Sequence, residues 1–177
     1  SDLKIDTARQ LLDAALVAKP DYAPAQLADI RQRIAAQDIQ AARSKIDALL
    51  VQQPTNPDAL LIKGSLLAAD GDLDGALTQY QKAIDAKPNH IASNAAAISL
   101  LIRTNKPDAA KKYLDDLKKF APKNPQSYFL DAQLNYHLKD FKAARESAQQ
   151  LLRIAPNSPD SLQIAGAIEY QLRSYLQ

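Results

Sequence analysis

The chain has no cysteine, no methionine and no tryptophan, and it has only four glycines. Without cysteine there is no disulfide scaffold, no thiolate metal site and no cysteine nucleophile. None of the glycines stands in a G-x-x-x-x-G-K or G-x-G-x-x-G arrangement, which excludes the usual backbone cradles for nucleotide phosphates. Glutamate occurs twice, at Glu146 and Glu169, so no carboxylate pair presents itself as general acid and base. The only histidines are His90 and His137, and neither has a second ligand at metal-binding spacing. No apolar run approaches the ~20 residues of a transmembrane helix. Valine is scarce too: 2 residues against 32 alanines and 25 leucines in a chain of 177. The apolar content is therefore helix-forming rather than β-branched, and no substantial sheet is expected.

Charge of one sign is lacking as well. The formal charge is +2, from 22 Lys and Arg against 20 Asp and Glu, without the basic excess that phosphate-backbone binding needs. The densest basic stretch holds Lys111, Lys112, Lys118, Lys119 and Lys123, is interrupted by Asp115 and Asp116, and reads as a solvated helix face. Asp70-Gly-Asp72-Leu-Asp74-Gly75 imitates the start of a calcium loop, but Gln81 stands where that loop needs a bidentate Glu. The stretch is read as a turn and helix cap. No catalytic, cofactor-binding or metal-binding residue is assigned, no cofactor is expected, and nucleic acid is not expected as a partner.

What is present is a period. Pro20, Pro54, Pro88, Pro122 and Pro156 stand 34 residues apart, as do Ala8, Ala42, Ala76, Ala110 and Ala144. Ile5, Ile39, Leu73 and Phe141 form a third column, broken only by Pro107. Repeats of this length signal a stacked array. Within each window two amphipathic helices are legible. From Asn56, a cap, and Pro57, a first-turn residue, the stripe Leu60, Leu61, Gly64, Leu67 and Ala68 follows helical spacing. After the break at Asp70-Gly71-Asp72, with Asp72 or Asp74 as cap, a second stripe holds Leu73, Ala76, Leu77, Tyr80, Ala83 and Ile84. Lys87 is placed in its last turn and Pro88 stops it. Asn124-Pro125 and Ser158-Pro159 restart helices in the same way. A recurring alanine is what a close helix crossing requires.

A 34-residue helix-turn-helix unit with small residues at Gly64, Ala76 and Ala83, aromatic Tyr80 and terminal Pro88 resembles the tetratricopeptide repeat. The resemblance implies an all-α superhelical solenoid of antiparallel helix pairs, with about ten helices. Its register divides the chain into a second helix (1–22), full repeats at 23–56, 57–90, 91–124 and 125–158, and a first helix (159–177). The terminal helices are expected at about Asp6 to Lys19 and Asp160 to Ser174. Ile30 and Ile98 stand where Gly64, Ala132 and Gly166 supply the small residue, so looser pairs are expected there.

The resemblance also implies that first helices line a concave groove that binds a protein or peptide. Carried over column by column, the groove residues are Leu27, Arg31 and Ile34; Leu61, Ser65 and Ala68; Ala95, Ser99, Ile102 and Arg103; Phe129, Gln133, Tyr136 and His137; and Gln163, Ala167 and Tyr170. The best-known member groove clamps a terminal carboxylate with Lys and Asn. Those columns here hold Leu61, Ser65, Ala95 and Ser99, so that clamp is missing. Phe129 and Tyr136 are expected to face the groove and Tyr128 to be buried.

The stretch from Ala165 to Tyr170 and on through Ser174-Tyr175-Leu176-Gln177, with Ala143-Ala144-Arg145 and Leu151-Leu152 upstream, resembles the tetratricopeptide lipoproteins of bacterial exosortase (PEP-CTERM) and exopolysaccharide systems. That implies a periplasmic or cell-envelope setting, and a cytoplasmic one if it fails. The chain begins with Ser1 and reads as a segment of a longer array. Ile5, Leu12, Ala15 and Leu16 at one end, and Leu162, Ile164, Ile168, Tyr170, Leu172 and Tyr175 at the other, are expected to fray or to self-associate. The function expected is a non-enzymatic interaction scaffold. The alternatives are a spacer in a longer solenoid, or carbohydrate contact through Phe129, Tyr136 and Tyr170.

Overall fold

The computed structural model describes residues 2–175, with side chains over 10–173. Ten helices and no strand occur among the described residues. They are α1 (Asp2–Ala18), α2 (Ala23–Ala35), α3 (Ile39–Gln52), α4 (Pro57–Ala69), α5 (Leu73–Ala86), α6 (Ile91–Arg103), α7 (Pro107–Phe120), α8 (Pro125–His137), α9 (Phe141–Ile154) and α10 (Pro159–Tyr175). The chain divides into two compact units, Ser1–Ala86 and Lys87–Gln177. The division falls close to the end of the window at 57–90.

Two kinds of link alternate, and each repeats with the period. Between the helices of a pair, one residue takes the left-handed conformation: Gln37 (φ 62°), Gly71 (88°), Asn105 (55°) and Lys139 (62°). The next N–H donates back across the helix end, from Asp38 to Arg33 (2.9 Å), Asp72 to Leu67 (3.0 Å), Lys106 to Leu101 (2.8 Å) and Asp140 to Asn135 (2.9 Å). This closes the carbonyls that a helix end leaves open. The same residues then start the second helix. The Oδ1 of Asp38, Asp72 and Asp140 accepts from the N–H of Ala41 (3.4 Å), Gly75 (2.9 Å) and Ala143 (3.0 Å). Asp72 is thus the cap in the calcium-like stretch, and its carboxylate is held on the backbone. Lys106 in that column carries no such acceptor.

Between pairs, each periodic proline sits second in a four-residue turn. The fourth N–H donates to the first carbonyl: Tyr22 to Lys19 (3.1 Å), Asn56 to Gln53 (3.1 Å), His90 to Lys87 (2.9 Å), Asn124 to Ala121 (3.2 Å) and Ser158 to Ala155 (3.3 Å). Proline's fixed φ suits that position. The prolines therefore shape the link rather than only stopping a helix, and Lys87 lies just past α5 as the first residue of its turn. A side chain from the next helix ties the turn down. Gln26 Nε2 donates to the Pro20 carbonyl (2.7 Å), Asn94 Nδ2 to that of Pro88 (3.0 Å), and Ser127 Oγ to that of Ala121 (2.9 Å).

The alanine column marks the helix crossings: Ala42, Ala76, Ala110 and Ala144 are all fully buried, while the side chain of Ala8 lies outside the described residues. In the first unit Leu27, Ile30, Ala42, Ile46, Leu49, Ala59, Ile62 and Leu66 form one core cluster. In the second, Ala132, Ala144, Ala148 and Ile168 form another, with Tyr136, Ile164, Ala165 and Leu172 packed against it. Pairing runs outward from each turn, as in antiparallel helices: Tyr136 meets Phe141 near it, and Ser147 meets Asp131 further along. Ile30 and Ile98 are fully buried, and their pairs, α2–α3 and α6–α7, run together less closely than α4–α5 and α8–α9.

The phase of the first-helix stripe differs from expectation. In α4 the buried residues are Ala59, Leu60, Ile62, Gly64 and Leu66, while Leu61, Leu67 and Ala68 are only half-buried. α4 packs against both α3 and α5, so two flanks are covered and the third carries Leu61, Ser65 and Ala68. In α8 the buried residues are Ser127, Leu130, Ala132 and Leu134. Tyr128, expected inside, lies one step off them and is half-buried. α1 begins at Asp2 and α10 runs to Tyr175, a turn and one residue beyond the expected limits. On α10, Ile168 is buried, Ile164 and Leu172 are half-buried, and Leu162 and Tyr170 are exposed. Leu12, Ala15 and Leu16 are half-buried. The side chains of Ile5 and Tyr175 lie outside the described residues.

Candidate functional site

The groove columns fall differently in the two units. In the first, Leu27 belongs to the core cluster and Ile34 packs half-buried against it, so Leu27 is not available to a partner. Arg31 is exposed and spans to the next repeat, Nη2 3.0 Å from Asp58 Oδ1. Leu61 and Ala68 are half-buried around exposed Ser65. The Ser65 hydroxyl donates to the Leu61 carbonyl (3.0 Å) and lies 3.4 Å from the Tyr80 hydroxyl, which donates to it. The polar side chains on this face, Arg31 and Ser65, both have partners.

In the second unit Ala95 and Ser99 are half-buried, Arg103 is exposed and Ile102 is buried. Phe129, Gln133 and Tyr136 are half-buried on α8, and His137 is exposed at its end. Gln163 and Tyr170 are exposed on α10, with Ala167 half-buried. Four of these residues converge. Ile102, Gln133, Tyr136 and His137 line a cleft of about 470 Å³ together with Lys139, Phe141 and Gln171. Tyr136 and Phe141 meet edge to face, ring centres 5.5 Å apart and planes at 68°, a favourable aromatic arrangement. His137 Nε2 stands 3.0 Å from Asn105 Oδ1, a contact that ties the end of α8 to the turn before α7.

Lys139, Phe141 and Gln171 were not among the expected site residues. Phe141 stands in a column read as purely structural, and Gln171 is one period beyond His137. Lys139 carried no signal, since its place follows from a left-handed turn that lysine does not advertise.

Electrostatics single out a different place. Asp29 lies on the wall of a smaller cleft of about 280 Å³ in the first unit, with Leu16, Pro20, Gln26, Lys45, Ala48 and Leu49. Burial pushes its pKa up, but hydrogen bonds and charge from Lys45 and Arg33 outweigh that, and the carboxyl is held below its ordinary value. The Lys45 ammonium is 2.9 Å away and the Arg33 Nε 3.2 Å. In the expected basic stretch, Lys118 pairs with Asp131 (2.8 Å) and Lys119 with Asp116 (2.7 Å). Among the described residues no group of three or more His, Asp or Glu could hold a metal ion, and no helix is long and apolar enough to cross a membrane.

Three family models, each described as tetratricopeptide repeat, match residues 30–91, 67–134 and 125–158. Together they run from residue 30 to residue 158. No curated protein sequence matches the chain. Among solved structures, the tetratricopeptide protein TTC0263 of Thermus thermophilus superposes with a TM-score of 0.79 at 16% identity, over 93% of this chain and 90% of that one. PilF of Pseudomonas aeruginosa does so at 0.73 and 18%, over 96% and 83%. The first TPR of Spaghetti (RPAP3), bound to the HSP90 peptide SRMEEVD, does so at 0.59 and 19%, over 67% and 94%. At such identities the likeness is one of fold.

Proposed function

Because the chain belongs to the tetratricopeptide repeat family, we propose that it is a non-enzymatic interaction module that holds a peptide or helix of a partner protein on the first-helix face of its second unit. Proteins of this family are generally scaffolds, and the RPAP3 neighbour is seen with a peptide bound. The observation that carries the reading is the cleft where four groove-column residues meet, beside half-buried Phe129. Concave, mostly apolar sites with a few polar groups are where ligands bind.

Affinity capture from the native organism tests this, comparing the chain with Phe129→Ala and with Phe129→Ala/Tyr136→Ala. Loss of an aromatic anchor is expected to cost about 2 kcal/mol or more of binding. Tyr136 also packs on the core, so circular dichroism must show both variants folded. An unchanged set of captured proteins overturns the reading.

The proposed setting is the envelope of a Gram-negative bacterium carrying an exosortase and exopolysaccharide system, on the strength of the resemblance around Ala143–Gln177. Partners would then be assembly or sorting components. Fractionation of the native organism tests it, and recovery in the cytoplasm refutes it.

A second reading, a spacer in a longer solenoid, draws on α10. A Cβ at Gly64 would run into Tyr80, whereas one at Gly166 meets nothing within 4 Å. With Leu162 and Tyr170 exposed on the same helix, this face suits a further second helix, from the same chain or from another copy. Sedimentation of the chain at rising concentration tests the second-copy form, and a strict monomer rules it out.

A further inference from the structure

We propose that the cleft of the second unit takes an apolar side chain carried next to an acidic residue of the bound peptide, with Lys139 meeting the acid. This rests on the interaction reading above and adds the chemistry of the ligand. Ile102, Tyr136 and Phe141 supply apolar wall, Gln133 and Gln171 are neutral, His137 Nε2 is held by Asn105, and the charged lining residue, Lys139, is basic. No lining residue is acidic. The acids nearby are engaged elsewhere: Asp140 on the Ala143 N–H at 3.0 Å, Asp131 with Lys118 and Ser147, and Glu169 with Arg145. An aromatic or branched side chain with its own peptide unit fits a volume of about 470 Å³. A positive rim beside such a pocket then favours a neighbouring carboxylate over an ammonium.

Gln133 adds a second pointer. Its Oε1 is buried and has no hydrogen-bond partner, and a buried acceptor left so is costly. A peptide N–H entering beside it supplies the partner, once the amide turns toward the cleft. The site differs from the family's carboxylate clamp, whose columns here hold Leu61, Ser65, Ala95 and Ser99.

The chain has no tryptophan, so indole fluorescence reports a tryptophan-bearing probe directly. Three blocked Gly/Ser peptides serve, with Asp-Trp, Lys-Trp or Asp-Ala at the centre, the last followed by calorimetry. The Asp-Trp peptide is expected to bind tightest, and its advantage over Lys-Trp to shrink as salt rises. Lys139→Gly is expected to lower that advantage about two- to fivefold, the range for an exposed ion pair. Glycine suits the φ of 62° at that position, so a weaker variant cannot be attributed to misfolding. Equal binding of Asp-Trp and Lys-Trp, or an advantage left unchanged by Lys139→Gly, overturns the proposal. So does Asp-Ala binding as well as Asp-Trp, or a neutral oligosaccharide displacing the probe. If no probe binds, the ligand chemistry is wrong, while the capture experiment still decides the interaction reading.

Discussion

Tyr80 occupies the space that a side chain at Gly64 would need. A Cβ built on Gly64 would stand 2.5 Å from Tyr80 Cε1 and 3.1 Å from the Ala76 carbonyl oxygen. The closeness of α4 to α5 therefore depends on glycine and on a fully buried alanine facing each other across the crossing. Gly64→Ala is expected to destabilise the fold by about 1–3 kcal/mol through overpacking. Tyr80→Leu in the same chain should recover part of that loss, and a double-mutant cycle from urea unfolding measures the coupling. Additive effects would show that the two do not compete for space.

The left-handed turn residues give the opposite sign. Gln37 and Lys139 bear side chains at φ of 62°, which costs an L-residue about 1–2 kcal/mol relative to glycine. Gln37→Gly and Lys139→Gly are each expected to raise stability by about 1 kcal/mol, less glycine's extra entropy in the unfolded chain. Gly71→Ala, at φ 88°, should lower it by a similar amount. Thermal unfolding of the three variants checks the pattern.

Lys106 stands at the link position that Asp38, Asp72 and Asp140 occupy in the other three helix pairs, each capping the helix that follows. α7 has no side-chain cap. Lys106→Asp is expected to supply one to the Ala109 N–H and to stabilise the chain by about 1 kcal/mol. A fall in the urea midpoint would mean that lysine's own contacts outweigh a cap.

Asp29 gives a pH dependence. Its folded pKa lies below the ordinary aspartate value because Lys45 and Arg33 outweigh its burial. A depressed folded value means stability that is fully present above the unfolded pKa and is lost as pH falls through the folded one. The stability difference between the native chain and Asp29→Asn should therefore be constant near neutrality and shrink as pH falls below about 4, the ordinary range of an aspartate. A difference independent of pH would show that the ion pairs contribute nothing to the native fold.

The sequence shows the array because its markers are periodic: a proline that shapes one link and an alanine that allows the crossing. The phase of each first helix was harder to see. A helix covered on two flanks has apolar residues around most of its circumference, so stripe-reading could not tell Leu60 from Leu61. For the same reason Leu27, read as a groove residue, lies in the core cluster, and Tyr128, read as a core residue, is half-buried. The cleft was half legible. Tyr136 and Gln133 follow from the first-helix columns, but Phe141 arrives from a second helix. Lys139 arrives from a turn conformation that neither glutamine nor lysine signals, although Gly71 and Asn105 in the same column do.

Within each unit the two kinds of link are short and ordered. Each is closed by its own backbone hydrogen bonds, with one residue in a left-handed turn or four in a proline turn. One residue inserted inside a helix would swing everything beyond it by about 100° around the axis and turn the buried stripe toward solvent. A single-residue insertion or deletion inside a helix is therefore expected to destabilise its unit. The change in length that keeps every stripe in register is a block of 34 residues, and natural variants of different length are expected to differ by that step.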